Sequence, residues 1–238
     1  MGKIYAVGVG PGSSKYVTEI VKEVILNCDV VIGYKFTLKT IENLLVGKEI
    51  YEITMNNQEK SYQKILLELG DRSLVVPFTG DVNFSESEVV DRLIEIFGEV
   101  EIIPGISSIQ VAASKARVSL DKSKIITMHV TSSIEEKKLE LQKALIDGYS
   151  VILVPRPWPK QPEKHFMPSE IAIYLKNNGF KTENIKVHVF ESLTTTNETN
   201  FTGTVKDLEG KNFSDLSVMV FNQTILDSYM NYKWQWIN

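Results

Sequence analysis

The 238-residue chain is short of the residue types that build the commoner chemical sites. It has one cysteine, Cys28, which excludes an internal disulfide and a cysteine-based metal centre. Cys28 precedes the apolar run Val30-Val31-Ile32 and reads as a small buried residue. No run approaches the roughly 18 apolar residues of a membrane-spanning helix. The N-terminal residues enter a strand-like segment, Ile4-Tyr5-Ala6-Val7, without the apolar core of a signal peptide, so a cytoplasmic protein is expected. Without a secretion signal, the triplets beginning at Asn197 and Asn200 carry no meaning as glycosylation sites. Positive charge is not in excess: the net charge is −4, and nothing electrostatic argues for nucleic acid. Histidine is scarce, at three residues, and no nucleophile–histidine–acid pattern or metal-ligand spacing stands out.

What is present is an alternation of apolar runs and helical patterns. Apolar content of 43% and charged content of 24% are ordinary for a globular protein. Residues 3–8, 29–33, 49–53, 73–78 and 100–103 read as strands. Between them, residues 17–27, 36–45, 58–70, 87–97 and 107–115 read as helices. In 17–27, Ile20, Val21, Val24 and Ile25 share a face. The centre of 73–78 is continuously apolar, as in a sheet covered on both sides. This half is predicted to be a mainly parallel sheet with crossover helices. The second half differs. Strands at 124–130, 150–154, 185–191, 200–205 and 217–221 accompany helices at 135–147 and 169–178, with Ser169 as cap and Gly179 as stop. The later strands follow one another without helices, so part of this sheet is antiparallel. The fold class is α/β with two domains, 1–116 and 117–238.

Three small-residue loops follow strands of the first half. Gly8-Val9-Gly10-Pro11-Gly12-Ser13 is glycine-rich, but the third position of a dinucleotide fingerprint is Ser13, and Pro11 removes an amide donor. Alone it is equally a tight strand-to-helix turn. In Thr79-Gly80-Asp81-Val82-Asn83-Phe84, Gly80 permits close backbone approach. Asp81 accepts either from a ligand or within its own turn. In Pro104-Gly105-Ile106-Ser107-Ser108 the serines open a helix, where capping and ligand binding are compatible roles. All three lie at carboxyl ends of predicted parallel strands, the edge where open α/β sheets bind ligands.

In order and spacing these loops resemble those of the tetrapyrrole (corrin/porphyrin) methylases. Phe190-Glu191-Ser192-Leu193-Thr194-Thr195-Thr196-Asn197-Glu198, followed by Thr202-Gly203-Thr204, is similar to that family's late strand–loop–strand segment. The resemblance implies two α/β domains with S-adenosylmethionine in the cleft between them, usually in a homodimer. It carries cofactor contacts to Pro11, Thr79, Gly80, Asp81, Phe84, Ser107 and Ser108, and to Pro155 and Leu193 in the second half. Val82 departs from it, since the family usually has proline after Gly-Asp. The run Ser107 to Ala113 and the segment around His129 most resemble members that methylate carbon 5 of cobalt-precorrin-7, a precorrin-6Y-type substrate. Many bacterial relatives of that kind are fused to a carbon-15 methyltransferase, which here would be a separate partner protein.

A cobalt-precorrin carries many carboxylates, so its site should offer cations and backbone donors. Arg156 ranks first, ahead of Lys35, Arg117, Lys160 and Lys164; each is also readable as an ordinary solvated charge. His129, at the end of a predicted strand, is a candidate substrate contact or a structural residue. Trp158 and Phe166 lie in a proline-rich loop able to cover a flat macrocycle. Trp234 and Trp236 read as packing for the C-terminal end. The competing readings are a methylase acting at another macrocycle position, a diphthine synthase-like methyltransferase, and a non-catalytic nucleoside-binding module.

Overall fold

The computed structural model describes residues 2–84, 86–158, 161 and 164–223; Lys160, Trp234 and Trp236 lie outside them. Strands β1 (Ile4–Gly8), β2 (Val30–Tyr34), β3 (Glu49–Ile53), β4 (Leu74–Phe78) and β5 (Glu101–Ile103) form a parallel sheet in the order β3-β2-β4-β1-β5. Successive side chains leave opposite faces. Ile4, Ala6, Val30, Ile32, Leu74, Val76 and Phe78 meet Tyr62, Ile65 and Leu69 of α3 (Gln58–Leu69) and Val90, Leu93 and Phe97 of α4 (Ser87–Phe97). Val7, Val31 and Val75 meet Val21 and Ile25 of α1 (Glu19–Asn27) and Leu38 of α2 (Lys35–Thr40) on the other face. Two helix layers explain why the inner strands β2 and β4 show no polar alternation. Each buried aliphatic side chain contributes about 1.5–3 kcal/mol.

The order matters for the site. From β1 the chain crosses past β4 to β2, and from β4 it crosses past β1 to β5. The loops leaving β1, β4 and β5 therefore gather at one carboxyl edge, around a reversal of strand order.

Helix α5 (Ser108–Ala116) leads to the second sheet: β6 (Ser123–Thr127), β7 (Ser150–Val154), β8 (Lys186–Glu191), β9 (Thr199–Thr204) and β10 (Ser217–Asn222), ordered β6-β7-β10-β8-β9. Only β6 and β7 are parallel; the other neighbours run antiparallel. Leu141 and Leu145 of α6 (Glu135–Ile146) and Ile171 and Leu175 of α7 (Pro168–Asn177) pack on Leu153, Val187, Val189 and Phe221. The chain forms two compact units. One holds residues through Val111 together with Ser192–Glu198; the other holds Ala112–Glu191 and the residues from Thr199 onward.

Several local expectations are corrected. Ile20 is 56% exposed, because α1 turns only its Val21–Ile25 stripe to the sheet. The helix expected over 36–45 breaks after Thr40 and resumes as a 3-10 turn at Glu42–Leu44. Strand β6 ends at Thr127, leaving His129 beyond it. Ser169 does not cap α7: Met167 precedes the helix, Pro168 opens it, and the Glu170 carboxylate accepts the Met167 amide. The Ser169 hydroxyl accepts instead from the Gly210 amide at 2.9 Å. Gly179, at φ +83°, follows the helix as expected. Among the described residues no helix is long and apolar enough to cross a membrane.

Candidate functional site

The first two glycine loops are stitched to each other by backbone alone. Gly10 and Gly80 exchange both amide–carbonyl hydrogen bonds, at 3.2 and 2.8 Å, and the Val9 amide donates to the Phe78 carbonyl. The third loop presses against both. A Cβ at Gly105 would stand 2.4 Å from the carbonyl oxygens of Gly8 and Gly80, and one at Gly8 would stand 2.6 Å from the Gly105 nitrogen. The glycines at 8 and 105 thus answer a packing demand among the loops.

Asp81 joins the second loop to the third. Its Oδ2 accepts the Gly105 amide at 2.8 Å and its Oδ1 accepts the Asn83 amide at 2.8 Å. The local turn expected from sequence is there, with a brace to Gly105 added. Hydrogen bonds to a charged acceptor are worth about 1.5–3 kcal/mol each. Val82, where the family usually has proline, is 1% exposed in the α3–α4 core. The open side of Gly80 looks toward the Ser108 nitrogen and the Ser107 Cα, 3.7 and 3.8 Å from an added Cβ. The Ser107 amide donates to Gln110 Oε1 at 2.7 Å and the Ser107 hydroxyl accepts the Ile109 amide, a reciprocal cap at the start of α5. Thr79, Phe84, Ser107 and Ser108 are half-buried around this edge, and Pro11 is buried.

The segment Ser192–Glu198 completes the same unit. The Ser13 amide donates to Thr194 Oγ1 at 2.9 Å. A Cβ on Gly12 would lie 2.6 Å from Thr195 Cγ2 and 2.9 Å from the Leu193 carbonyl oxygen. Thr40 of α2 donates its hydroxyl to the Gly12 carbonyl. Ser192 and Thr194 adopt left-handed backbone, at φ +47° and +67°. Such conformations cost non-glycine residues about 1–3 kcal/mol. The Thr194 amide is held by Glu198 Oε2 at 2.7 Å, and Thr195 Oγ1 donates to the Ser192 carbonyl. Leu193, between the strained pair, is 3% exposed. The sequence reading named Leu193 and missed Thr194, whose partner lies 181 positions away.

In the second unit, Pro155 is buried after β7 and Arg156 is 3% exposed, which corrects the reading of Arg156 as a solvated charge. Arg156 and Phe166 exchange both backbone hydrogen bonds, at 3.1 and 3.0 Å. The guanidinium donates to the Thr131 carbonyl and lies 4.3 Å over the Trp158 ring. His129, exposed at its surface, stands edge-on to Trp158 with ring centres 6.0 Å apart. Partial burial pushes its pKa below the ordinary imidazole value; Arg156 acts in the same direction and Asp215 against it. The imidazole is therefore neutral at pH 7. Arg156, Trp158 and His129, separate candidates in the sequence, form one cluster. Lys35 opens α2 at the carboxyl end of β2, and Arg117 follows α5 at φ +56°.

Glu86, just before α4, went unnoticed in the sequence because a charged residue flanking a helix reads as solvent-facing. Burial pushes its carboxyl up to about 7. It lies within electrostatic reach of Tyr34 and Tyr62, as does Arg92. Tyr34 donates to Gln58 Oε1 at 2.9 Å, and Tyr62 is fully buried.

Known proteins are similar to this chain, in sequence or in fold, over nearly its whole length. A probable cobalt-precorrin-7 C(5)-methyltransferase of Methanocaldococcus jannaschii is 30% identical over 231 residues, covering 92% of this chain and 97% of that one. The crystal structure of the methyltransferase CobJ matches with a TM-score of 0.72 at 16% identity, covering 93% of this chain and 94% of that one. Precorrin-6Y methylase (CbiE) from Archaeoglobus fulgidus matches with a TM-score of 0.66 at 20% identity, covering 94% of this chain and all of that one, 100%. Residues 3–209 match the family model of the Tetrapyrrole (Corrin/Porphyrin) Methylases, and this chain belongs to that family.

Proposed function

We propose that the protein is an S-adenosylmethionine-dependent C-methyltransferase of cobalamin biosynthesis, acting at carbon 5 of cobalt-precorrin-7. The observation that carries this reading is the similarity, along almost the full length of both chains, to the archaeal relative with that probable activity. Membership of the methylase family supports the reaction class.

The carboxyl edge of the parallel sheet fits a nucleoside cofactor. Gly80 leaves bare backbone beside Ser107 and Ser108, a space that a side chain at Gly80 would fill. Thr79 and Phe84 add a hydroxyl and an aromatic face, with Pro11 and Leu193 packed nearby in the same unit. Bound S-adenosylmethionine supplies an activated methyl group on its sulfonium. The chain's own task is then orientation, holding the reacting carbon in line at about 3 Å. Asp81 serves by fixing Gly105. Arg156 and His129 are assigned to the substrate: Arg156 meets acidic side groups of the macrocycle, and neutral His129 offers a proton acceptor. The working form is proposed to be a cytoplasmic homodimer, with the carbon-15 methylation supplied by another protein.

Calorimetric titration with S-adenosylmethionine and S-adenosylhomocysteine tests the reaction class. Micromolar binding, about −8 kcal/mol, is expected. Mass spectrometry of the product from a cobalt-precorrin substrate then tests the position: a gain of one methyl at carbon 5 is expected, and methylation elsewhere would reassign it. No binding of either nucleoside by folded protein would overturn the methyltransferase reading.

A further inference from the structure

We propose that Thr194 is a positioning residue for the first glycine loop, its hydroxyl and strained backbone together fixing the Ser13 amide in the geometry that nucleoside binding requires. The inference rests on the methyltransferase reading above. Left-handed backbone suits glycine and, less well, asparagine; a β-branched side chain crowds its own carbonyl there. Threonine at φ +67° is therefore a poor choice for the turn taken by itself. What it offers that glycine lacks is a hydroxyl, and that hydroxyl accepts the Ser13 amide at 2.9 Å.

The start of the receiving loop is held by the Gly10–Gly80 backbone pair, and the Thr194 contact acts on the stretch beyond it. Pro11 donates no amide proton. Gly12 has no side chain, and its carbonyl is taken by Thr40 while its α-carbon packs on Thr195 and Leu193. Ser13 starts the 3-10 turn Ser14–Tyr16, its hydroxyl accepting from the Lys15 amide. The Thr194 contact holds the link between the Gly12 carbonyl and that turn, so it sets, together with the Gly10–Gly80 pair, where Pro11 and Gly12 present their backbone. Glu198 holds Thr194 in turn through its amide, at 2.7 Å. A strained residue persists only where its surroundings over-determine it. Here Glu198 holds it from its own segment and the Ser13 amide from the loop.

This role differs from plain structural support in a measurable way. Thr194→Gly removes both the strain and the hydroxyl, so its effects on stability oppose each other while its effect on the loop does not. Thermal unfolding and titration with S-adenosylhomocysteine are compared for the whole 238-residue chain, Thr194→Gly and Thr194→Ser. For Thr194→Gly, a melting temperature within about 3 °C of wild type is expected, with a dissociation constant raised about tenfold or more. Thr194→Ser keeps the hydroxyl and is expected to restore affinity to within about threefold of wild type. Wild-type affinity in Thr194→Gly would overturn the inference while leaving the family reading intact. So would no restoration by serine, or a fall of more than about 10 °C in Thr194→Gly, which would make Thr194 a fold-supporting residue. No binding by wild type would overturn both the methyltransferase reading and this inference.

Discussion

Asp81 and Glu86 are carboxylates of one loop region under opposite constraints. Asp81 accepts two backbone amides, while burial raises the Glu86 carboxyl to about 7. In Asp81→Asn the side chain carries one oxygen and one NH2 group. An NH2 facing the Gly105 amide cannot accept it, leaving that donor unmatched. The substitution is expected to cost about 1–3 kcal/mol in urea unfolding and to weaken S-adenosylhomocysteine binding. Unchanged stability and affinity would remove Asp81 from the brace. For Glu86 the sign runs the other way from an ordinary paired acid. Its folded pKa lies above its unfolded value, near 4.3, so the folded state holds the extra proton between the two. Its contribution is fully present below about 4.3 and is lost as pH rises toward 7. Glu86→Gln is expected to flatten the fall in stability across that window, measured by chemical unfolding at a series of pH values. The Asp81 turn was readable in advance; its brace to Gly105 and the burial of Glu86 were not. The sequence shows an acid after a glycine and an acid before a helix, but not which amides or apolar walls will surround them.

Elements were legible where local pattern and tertiary demand coincide. Helix α4 spans residues 87–97 as expected, its apolar stripe of Val90, Leu93 and Phe97 ending at Gly98. Strand β7 likewise matches 150–154, between a glycine-ended helix and a proline-rich loop. Pattern failed where a distant backbone group decides the outcome. Ser169 was a plausible cap until the Gly210 amide took its hydroxyl, and Arg156 reads as solvated until Phe166 folds back to pair with it. The glycine loops lie between these cases: their place at the sheet edge was visible, their mutual packing was not. That packing makes a contrast between two glycines. Gly105→Ala puts a methyl 2.4 Å from two backbone carbonyl oxygens, whereas Gly98, at φ +81°, has nothing within 4 Å of an added Cβ. Gly98→Ala is expected to cost about 1–2 kcal/mol of backbone strain. Gly105→Ala is expected to cost more than about 3 kcal/mol or to prevent folded protein from accumulating. Equal losses in denaturant titrations would show that the three loops tolerate separation.

At the scale of the whole molecule, two α/β units of unlike sheet topology were expected from the change of pattern between the halves, and the structure has a parallel sheet followed by a mixed one. The family was legible because the wording, order and spacing of three short loops carry the resemblance, and residues 3–209 match its family model. Ligand binding to the native chain should register as global stability. At a hundredfold excess over its dissociation constant, S-adenosylhomocysteine is expected to add about 2.7 kcal/mol, a rise of roughly 5–10 °C in melting temperature for a chain of this size. No shift under saturating nucleoside would contradict binding to the folded state.

The first unit is discontinuous: its glycine loop at Gly12 and Ser13 is packed by Ser192–Glu198, which follow its main segment by some eighty residues. Synthesis runs in one direction, at about 5–20 residues per second. The parallel sheet is therefore translated several seconds before Thr194 exists to hold the Ser13 amide. On a growing chain, the sheet precedes the segment that packs its first glycine loop, and that segment arrives only when most of the second unit has been made.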